Sequence, residues 1–232
     1  MLYKEDWEKA KKRLEAFWNG EMIDRCAIAI HAPKNPEKLN RIKKYIDEVR
    51  INDVKRYWTD IDFILTTSEE IFANTYYGGE AIPNLFVNLG PGITSAYFGS
   101  PVKLMSDTVW FDKIIEDWDK DLVYDEDNYW LKLTIELTKA ALAEGKDKYF
   151  VSVTDLGGVG DIMASLRGNE ELCIDLFECP DAVKRANQKI TKIWREVFEK
   201  LADMIRTNSK DAPAGYCGLR ESIIRYSVIF LH

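Results

Sequence analysis

The chain has 232 residues, of which 46% are hydrophobic, 31% charged and 12% aromatic, with 13 Gly, 7 Pro and 4 Cys. Such a length and apolar content supply a substantial buried core and exclude a disordered chain. The formal net charge of −7 at pH 7, with no basic stripe, argues against nucleic-acid binding because an acidic surface repels a phosphate backbone.

Apolar runs are short, as in Cys26-Ala27-Ile28-Ala29-Ile30, well below the roughly 20 residues of a membrane span. The opening MLYKEDWEKAKKRLEAFW is charged and amphipathic, unlike a secretory leader. Cys26, Cys173, Cys179 and Cys217 show no C-x-x-C spacing and read as buried free thiols. The class expected is a soluble, cytoplasmic, single-domain protein of mixed structure.

Along the chain, residues 4–18 place Trp7, Ala10, Leu14, Phe17 and Trp18 on one helical face, closed by Asn19-Gly20. Cys26 to Ile30 reads as a buried strand stopped by His31-Ala32-Pro33. Residues 37–77 read as mostly helical, with Asp53 as an N-cap and Gly78-Gly79 as the stop. A second buried strand fits Leu85-Phe86-Val87 and runs into Asn88-Leu89-Gly90-Pro91-Gly92. Residues 93–127 read as irregular, ending in an acidic loop. Residues 128–143 read as helical, and Tyr149–Val153 is the clearest strand. It feeds Thr154-Asp155-Leu156-Gly157-Gly158-Val159-Gly160 and a helix to Arg167. A long helix follows Pro180, its apolar stripe running from Val183 to Ile205. A fourth strand is expected near Ala212. Buried strands separated by amphipathic helices predict an α/β fold with a parallel sheet, either doubly wound or a β/α barrel.

In both architectures function gathers at the C-terminal strand ends. His31 there is a candidate acid, base or ligand contact, or else a turn histidine bonded to backbone. Asp155 and Asp161 flank a glycine turn opening a helix, which suits close approach of a ligand or simply a capped tight turn. Gly158-x-Gly160 does not complete a dinucleotide fingerprint, since its third glycine falls at Met163. Asp117-Trp118-Asp119-Lys120-Asp121 resembles the start of a calcium loop but has Leu122 and Asn128 where glycine and glutamate belong, and reads as a solvated acidic loop. Trp110, Phe111, Trp118, Tyr129 and Trp130 either line a pocket for a planar ligand or belong to the core. No nucleophile elbow, cysteine signature or H-E-x-x-H names a reaction.

Several segments taken together carry a family likeness. They are Lys12-Arg13-Leu14-Glu15-Ala16-Phe17-Trp18-Asn19-Gly20-Glu21-Met22-Ile23-Asp24-Arg25, Asn88–Gly92, Asp155–Gly158 with Ser165-Leu166-Arg167-Gly168, and Glu178-Cys179-Pro180-Asp181-Ala182-Val183. In order and spacing they resemble the uroporphyrinogen decarboxylase superfamily, which includes corrinoid-dependent methyltransferases, over about residues 10–216. The resemblance implies a TIM-type β/α barrel with its ligand site at the C-terminal strand ends. His31 and Asp155 would then be the catalytic groups, with Asn88, Thr154 and Asp161 binding substrate.

Departures from the family choose between its branches. Uroporphyrinogen decarboxylases follow the first strand with an arginine-rich segment that pairs with substrate carboxylates; here it reads His31-Ala32-Pro33-Lys34. The family's essential aspartate aligns with Asn88, whose neutral amide cannot stabilise developing positive charge as a carboxylate does. The active-site tyrosine aligns with Ala164. The resemblance therefore implies methyl transfer involving a corrinoid or a thiol acceptor, with decarboxylation of a carboxylated tetrapyrrole as the alternative. A corrinoid and zinc would serve the full-length protein, the zinc held by histidine and cysteine from the later half of the fold. The implied partners are a small-molecule or tetrapyrrole ligand, a corrinoid protein and a second copy in a homo-oligomer.

The family runs beyond 300 residues, whereas residues 217–232 do not resemble it. Read from the third base of the Tyr216 codon, the permitted residues include Leu-Trp-x-x-Gly-Lys-Tyr-Tyr-Pro-Leu-Gln-Cys-Asp-Phe-Ser, which resembles the family's continuation. The expectation is that residues 1–216 are the N-terminal part of one barrel domain and 217–232 an out-of-frame tail. About half of the eight barrel strands would be missing, leaving a non-catalytic remnant as a third reading. Such a remnant has an unpaired sheet edge and an uncovered apolar face that invite association. Sequencing the gene through and past codon 216 tests this: an open frame ending at His232 with no barrel-coding sequence downstream overturns it.

Overall fold

The computed structural model describes residues 1–208; the strand expected near Ala212 and the tail 217–232 lie outside the described residues. In chain order the elements are α1 (Trp7–Trp18), β1 (Ala29–Pro33), α2 (Pro36–Asn52), α3 (Val54–Thr59), α4 (Ile61–Ala73), β2 (Thr75–Gly79) and β3 (Asn84–Phe86). They continue with α5 (Thr94–Tyr97), β4 (Val102–Leu104), β5 (Val109–Phe111), α6 (Tyr129–Gly145), β6 (Phe150–Ser152), α7 (Val159–Arg167), α8 (Asn169–Glu178) and α9 (Pro180–Asn208). The chain divides into two compact units. Of the described residues, the first holds Met1–Phe86, Lys139–Ser152 and 204–208, and the second holds Val87–Thr138 and Val153–Asp203.

In the first unit, α1 ends as its sequence predicts. Gly20 takes a φ of +74°, and Glu21 N donates to Ala16 O at 2.8 Å while Gly20 N donates to Phe17 O at 3.1 Å. These are the paired bonds of a glycine-terminated helix. The stretch expected to be mostly helical over 37–77 is three helices, with Asp53 the N-cap its sequence suggests and Asp60 a further one. Asp53 Oδ1 accepts from Arg56 N at 3.1 Å and Asp60 Oδ1 from Phe63 N at 3.0 Å, so each aspartate starts a new helix. The stretch also stops earlier than Gly78-Gly79. Helix α4 ends at Ala73, and Thr75-Tyr76-Tyr77, rich in strand-favouring residues, opens β2.

The strand expected at Cys26–Ile30 is displaced and of a different kind. Strand β1 covers Ala29–Pro33, is largely exposed, and pairs antiparallel with β2. A short apolar run fixes neither burial nor direction of pairing without its partner. By contrast, the strands expected at Leu85–Val87 and Tyr149–Val153 pair as β3 and β6. They run parallel, with Asn84 opposite Phe150 and Phe86 opposite Ser152, and Leu85 and all three residues of β6 are buried. Ser152 Oγ donates to Asn84 Oδ1 across this pair at 2.8 Å. Trp7 packs edge-on against Phe150 with ring centres 4.9 Å apart. Among the described residues the sheets are three pairs, β1–β2, β3–β6 and β4–β5, and no barrel closes.

In the second unit, the segment 93–127 is more ordered than its sequence indicates, containing α5 and the hairpin β4–β5. Its strands are three residues each, too short to display a period of two. Helix α8 separates α7 from the long α9, with Gly168 at a φ of +107° between α7 and α8. Along α9, Val183, Ala186, Ile190, Ile193, Val197, Leu201 and Ile205 are buried, so the stripe read from sequence is the packed face. No helix among the described residues is long and apolar enough to cross a membrane.

Candidate functional site

Two glycine turns of the second unit form the candidate site, one following β3 in the chain and the other following β6. In the first, Asn88 Oδ1 accepts from Gly90 N at 3.1 Å, an Asn-initiated turn that fixes the amide. Gly90 has a φ of +90°, and a Cβ there would lie 2.4 Å from Val109 Cβ. Only glycine fits. In the second, Asp155 Oδ1 accepts from Gly157 N at 2.8 Å, so the aspartate shapes its own turn.

The two turns are joined backbone to backbone. Ile93 N donates to Asp155 O at 3.1 Å, and Gly157 approaches Gly92 so closely that a Cβ on it would fall 2.7 Å from Gly92 Cα. Trp194 on α9 holds the second turn from its other side, its Nε1 donating to Gly157 O at 2.9 Å. Helix α7 starts immediately after. Asp161 sits in its first turn, its Oδ2 2.9 Å from the position a Cβ on Gly158 would take. A carboxylate in that place compensates the positive end of the helix.

Three hydroxyls near this junction are buried and have no hydrogen-bond partner: Thr154 Oγ1, Thr94 Oγ1 and Ser95 Oγ. Thr94 and Thr154 each adjoin a residue of the Ile93–Asp155 bond. Buried hydroxyls without partners are uncommon and costly, and they recur where a water or ligand completes the bonding. Segments 88–95 and 154–162 contain two carboxylates, Asp155 and Asp161, and no Lys, Arg or His.

The structure thus brings Asn88, Thr154, Asp155 and Asp161 into one unit, with Asn88 and Asp161 exposed and Thr154 buried. His31 belongs to the other unit. It lies within the antiparallel strand β1 and not beyond the end of a parallel strand, because the strand extends past the Ile30 stop expected for it. The His31 ring is exposed and meets the edge of Tyr77, with centroids 5.4 Å apart.

The aromatic residues read as a possible pocket lining do not act together. Trp118 is buried and its Nε1 donates to Asp175 Oδ2 at 2.7 Å, while Trp110 and Tyr129 are exposed. Asp175 also takes both ends of Arg167, at 2.7 and 3.1 Å, and these groups hold its carboxyl below the usual carboxylate range despite its burial. Sequence reading missed this buried pair because its members lie on two helices divided by Gly168. It missed Trp194 because that residue sits within an apolar stripe. The carboxylates of the acidic loop are tied down and not merely solvated: Asp121 Oδ2 accepts from the backbone of Glu116 and Asp117, and Asp119 pairs with Arg185.

Among the described residues no group of three or more His, Cys, Asp or Glu is placed to hold a metal ion. The cysteines also differ from the buried thiols expected: Cys26 and Cys173 are exposed, Cys179 is half-buried, and Cys217 lies outside the described residues. No family model, curated protein or solved structure matches the chain.

Proposed function

We propose that the chain is the N-terminal part of a uroporphyrinogen decarboxylase-like β/α-barrel enzyme, and that the enzyme transfers methyl groups involving a corrinoid or a thiol acceptor. The observation that carries this reading is the junction of the two glycine turns. They follow adjacent parallel strands, β3 and β6, in the chain, and they meet at Gly92 and Gly157. Ligand sites of parallel α/β folds gather at such strand ends.

The charge of the junction favours methyl transfer over decarboxylation of a carboxylated tetrapyrrole. A polycarboxylate needs cationic partners, and segments 88–95 and 154–162 carry two aspartates and no cation. In this reading the Asn88 amide and the Thr154 hydroxyl orient substrate, Asp161 interacts with it at the mouth of the turn, and Asp155 moves a proton while it holds the turn closed. The described residues lack a ligand set for zinc, so no step is routed through it; zinc ligands, where present, come from the later half of the fold.

The test uses protein expressed from the gene extended beyond codon 216. Supplied with a methylated corrinoid and a thiol, it is expected to demethylate the corrinoid, followed by the corrinoid's absorbance. Release of carbon dioxide from a porphyrinogen without corrinoid turnover would establish the decarboxylase alternative. Absence of both activities overturns the enzymatic reading.

A further inference from the structure

The hairpin β1–β2 has one protected edge and one open edge. Glu80 N donates to Ile28 O and Lys34 N to Asn74 O, both at 2.8 Å, with Ile30 opposite Gly78 and Ala32 opposite Tyr76 between them. The even-numbered residues of β1 therefore bond to β2. In an antiparallel ladder the alternate residues face the other way, so the N–H and C=O of Ala29 and His31 point outward. On β2 the outward residues are Thr75, Tyr77 and Gly79, and the carbonyls of the last two both accept from the buried Lys4 Nζ, at 2.9 and 2.6 Å. Nothing comparable covers β1, which pairs only with β2 among the described residues.

Open edges are ordinarily guarded by charge, proline or a covering element. Segment 26–33 contains no Lys, Arg, Asp or Glu, so two copies of it meet without charge repulsion although the whole chain is acidic. The nearest charge before it, Arg25, is committed to Glu80 at 2.7 and 2.8 Å. One face of the hairpin is apolar as well. Ile28, Ile30 and Tyr76 are 43%, 50% and 56% exposed, and Ile30 and Tyr76 come together over Gly78.

We propose that the β1 edge is a homodimer interface in which two copies of β1 pair antiparallel about a two-fold axis at Ile30. Ala29 of each copy exchanges both backbone hydrogen bonds with His31 of the other, and the two Ile30 side chains meet at the axis. Pro33 lacks an N–H and ends the ladder. The resulting order is β2-β1-β1-β2, and Lys4 guards both outer edges, so the assembly closes at two copies and does not grow into a filament. The pairing is short, which makes it weak and concentration-dependent. It stands independently of the proposed enzymatic activity.

Sedimentation velocity of the 232-residue chain, over about a hundredfold range of concentration up to roughly 500 µM, is expected to show a monomer–dimer equilibrium. Ile30→Lys, which sets like charges together at the axis, is expected to leave only monomer with an unchanged circular dichroism spectrum. Backbone amide exchange gives a readout in the native chain: Ala29 and His31 gain protection as concentration rises, whereas the Ile30 amide, bonded within the hairpin, does not change. A monomer at every concentration overturns the proposal. So does a dimer that survives Ile30→Lys or leaves Ala29 and His31 exchange unaltered.

Discussion

Gly157 and Gly92 meet with no side chain between them, both in the left-handed region at φ values of +74° and +73°. The contact requires glycine at 157, because a Cβ there falls 2.7 Å from Gly92 Cα, whereas a Cβ on Gly92 would lie 3.8 Å from Gly157 Cα. Gly157→Ala is therefore expected to destabilise the protein by about 2–3 kcal/mol, combining left-handed strain with displacement of the facing turn. Gly160, in the same stretch, has nothing within 4 Å of its added Cβ and lies in α7. Gly160→Ala is expected to stabilise by about 0.5–1 kcal/mol. Urea unfolding of the two variants checks both signs, and equal effects would contradict the account of the turn.

Asp175 links α8 to Arg167 on α7 and to Trp118. Asp175→Ala leaves a guanidinium and an indole N–H without their partner, an expected loss of about 3 kcal/mol. The pH dependence follows from the lowered carboxyl of Asp175. A carboxylate with a folded pKa below its unfolded value contributes stability that is present above the unfolded pKa, near 4, and is lost as pH falls through the folded value. Wild type is expected to lose stability below about pH 4 more steeply than Asp175→Ala. Thermal unfolding between about pH 2 and 7 measures the difference, and parallel curves would show that the pair does not titrate with folding.

What the sequence reveals of this fold depends on how far each pattern reaches. The stripe on α9 and the glycine stop of α1 are local patterns, and both are present. The paired strands β3 and β6 are legible because Leu85-Phe86-Val87 and Tyr149-Phe150-Val151 are continuous apolar runs. Strand β1 is misplaced because its direction and exposure are set by Thr75–Gly79, more than forty residues later in the chain. The same limit applies to His31, which lies within an antiparallel strand and not at the C-terminal end of a parallel one. The acidic residues at 117–121 give no sequence sign that their partners are Arg185 and their own backbone.

Asp155 has a structural and a proposed chemical role, and the two are separable. Asp155→Asn keeps the oxygen that accepts from Gly157 N while removing the charge; Asp155→Ala removes both. The expected result in the extended enzyme is a fall in turnover of at least about a hundredfold for both variants, as for loss of a proton-transfer group. Only Asp155→Ala is expected to lose stability, by about 1 kcal/mol. Near-normal turnover in Asp155→Asn would leave the residue with its turn-forming role alone.

Lys4 offers the sharpest test of how the first unit is held. Its side chain is wholly buried, and Nζ reaches Tyr77 O, Gly79 O and the Asp6 carboxylate, the last at 2.8 Å. Asp6 is held below the usual carboxylate range first by its bond from Lys4. Lys4→Met keeps the packing volume but strips three acceptors of their donor, an expected cost of about 2–4 kcal/mol. It also opens the outer edge of β2, so that each copy presents two unguarded edges in place of one. The variant is thus expected to form assemblies larger than a dimer at concentrations where wild type stops at two, read by light scattering. Combining it with Ile30→Lys closes the β1 edge again and should cut the scattering back to dimers or monomers, while the loss of thermal stability remains. If the double variant assembles as far as Lys4→Met alone, the growth does not proceed through these two strand edges.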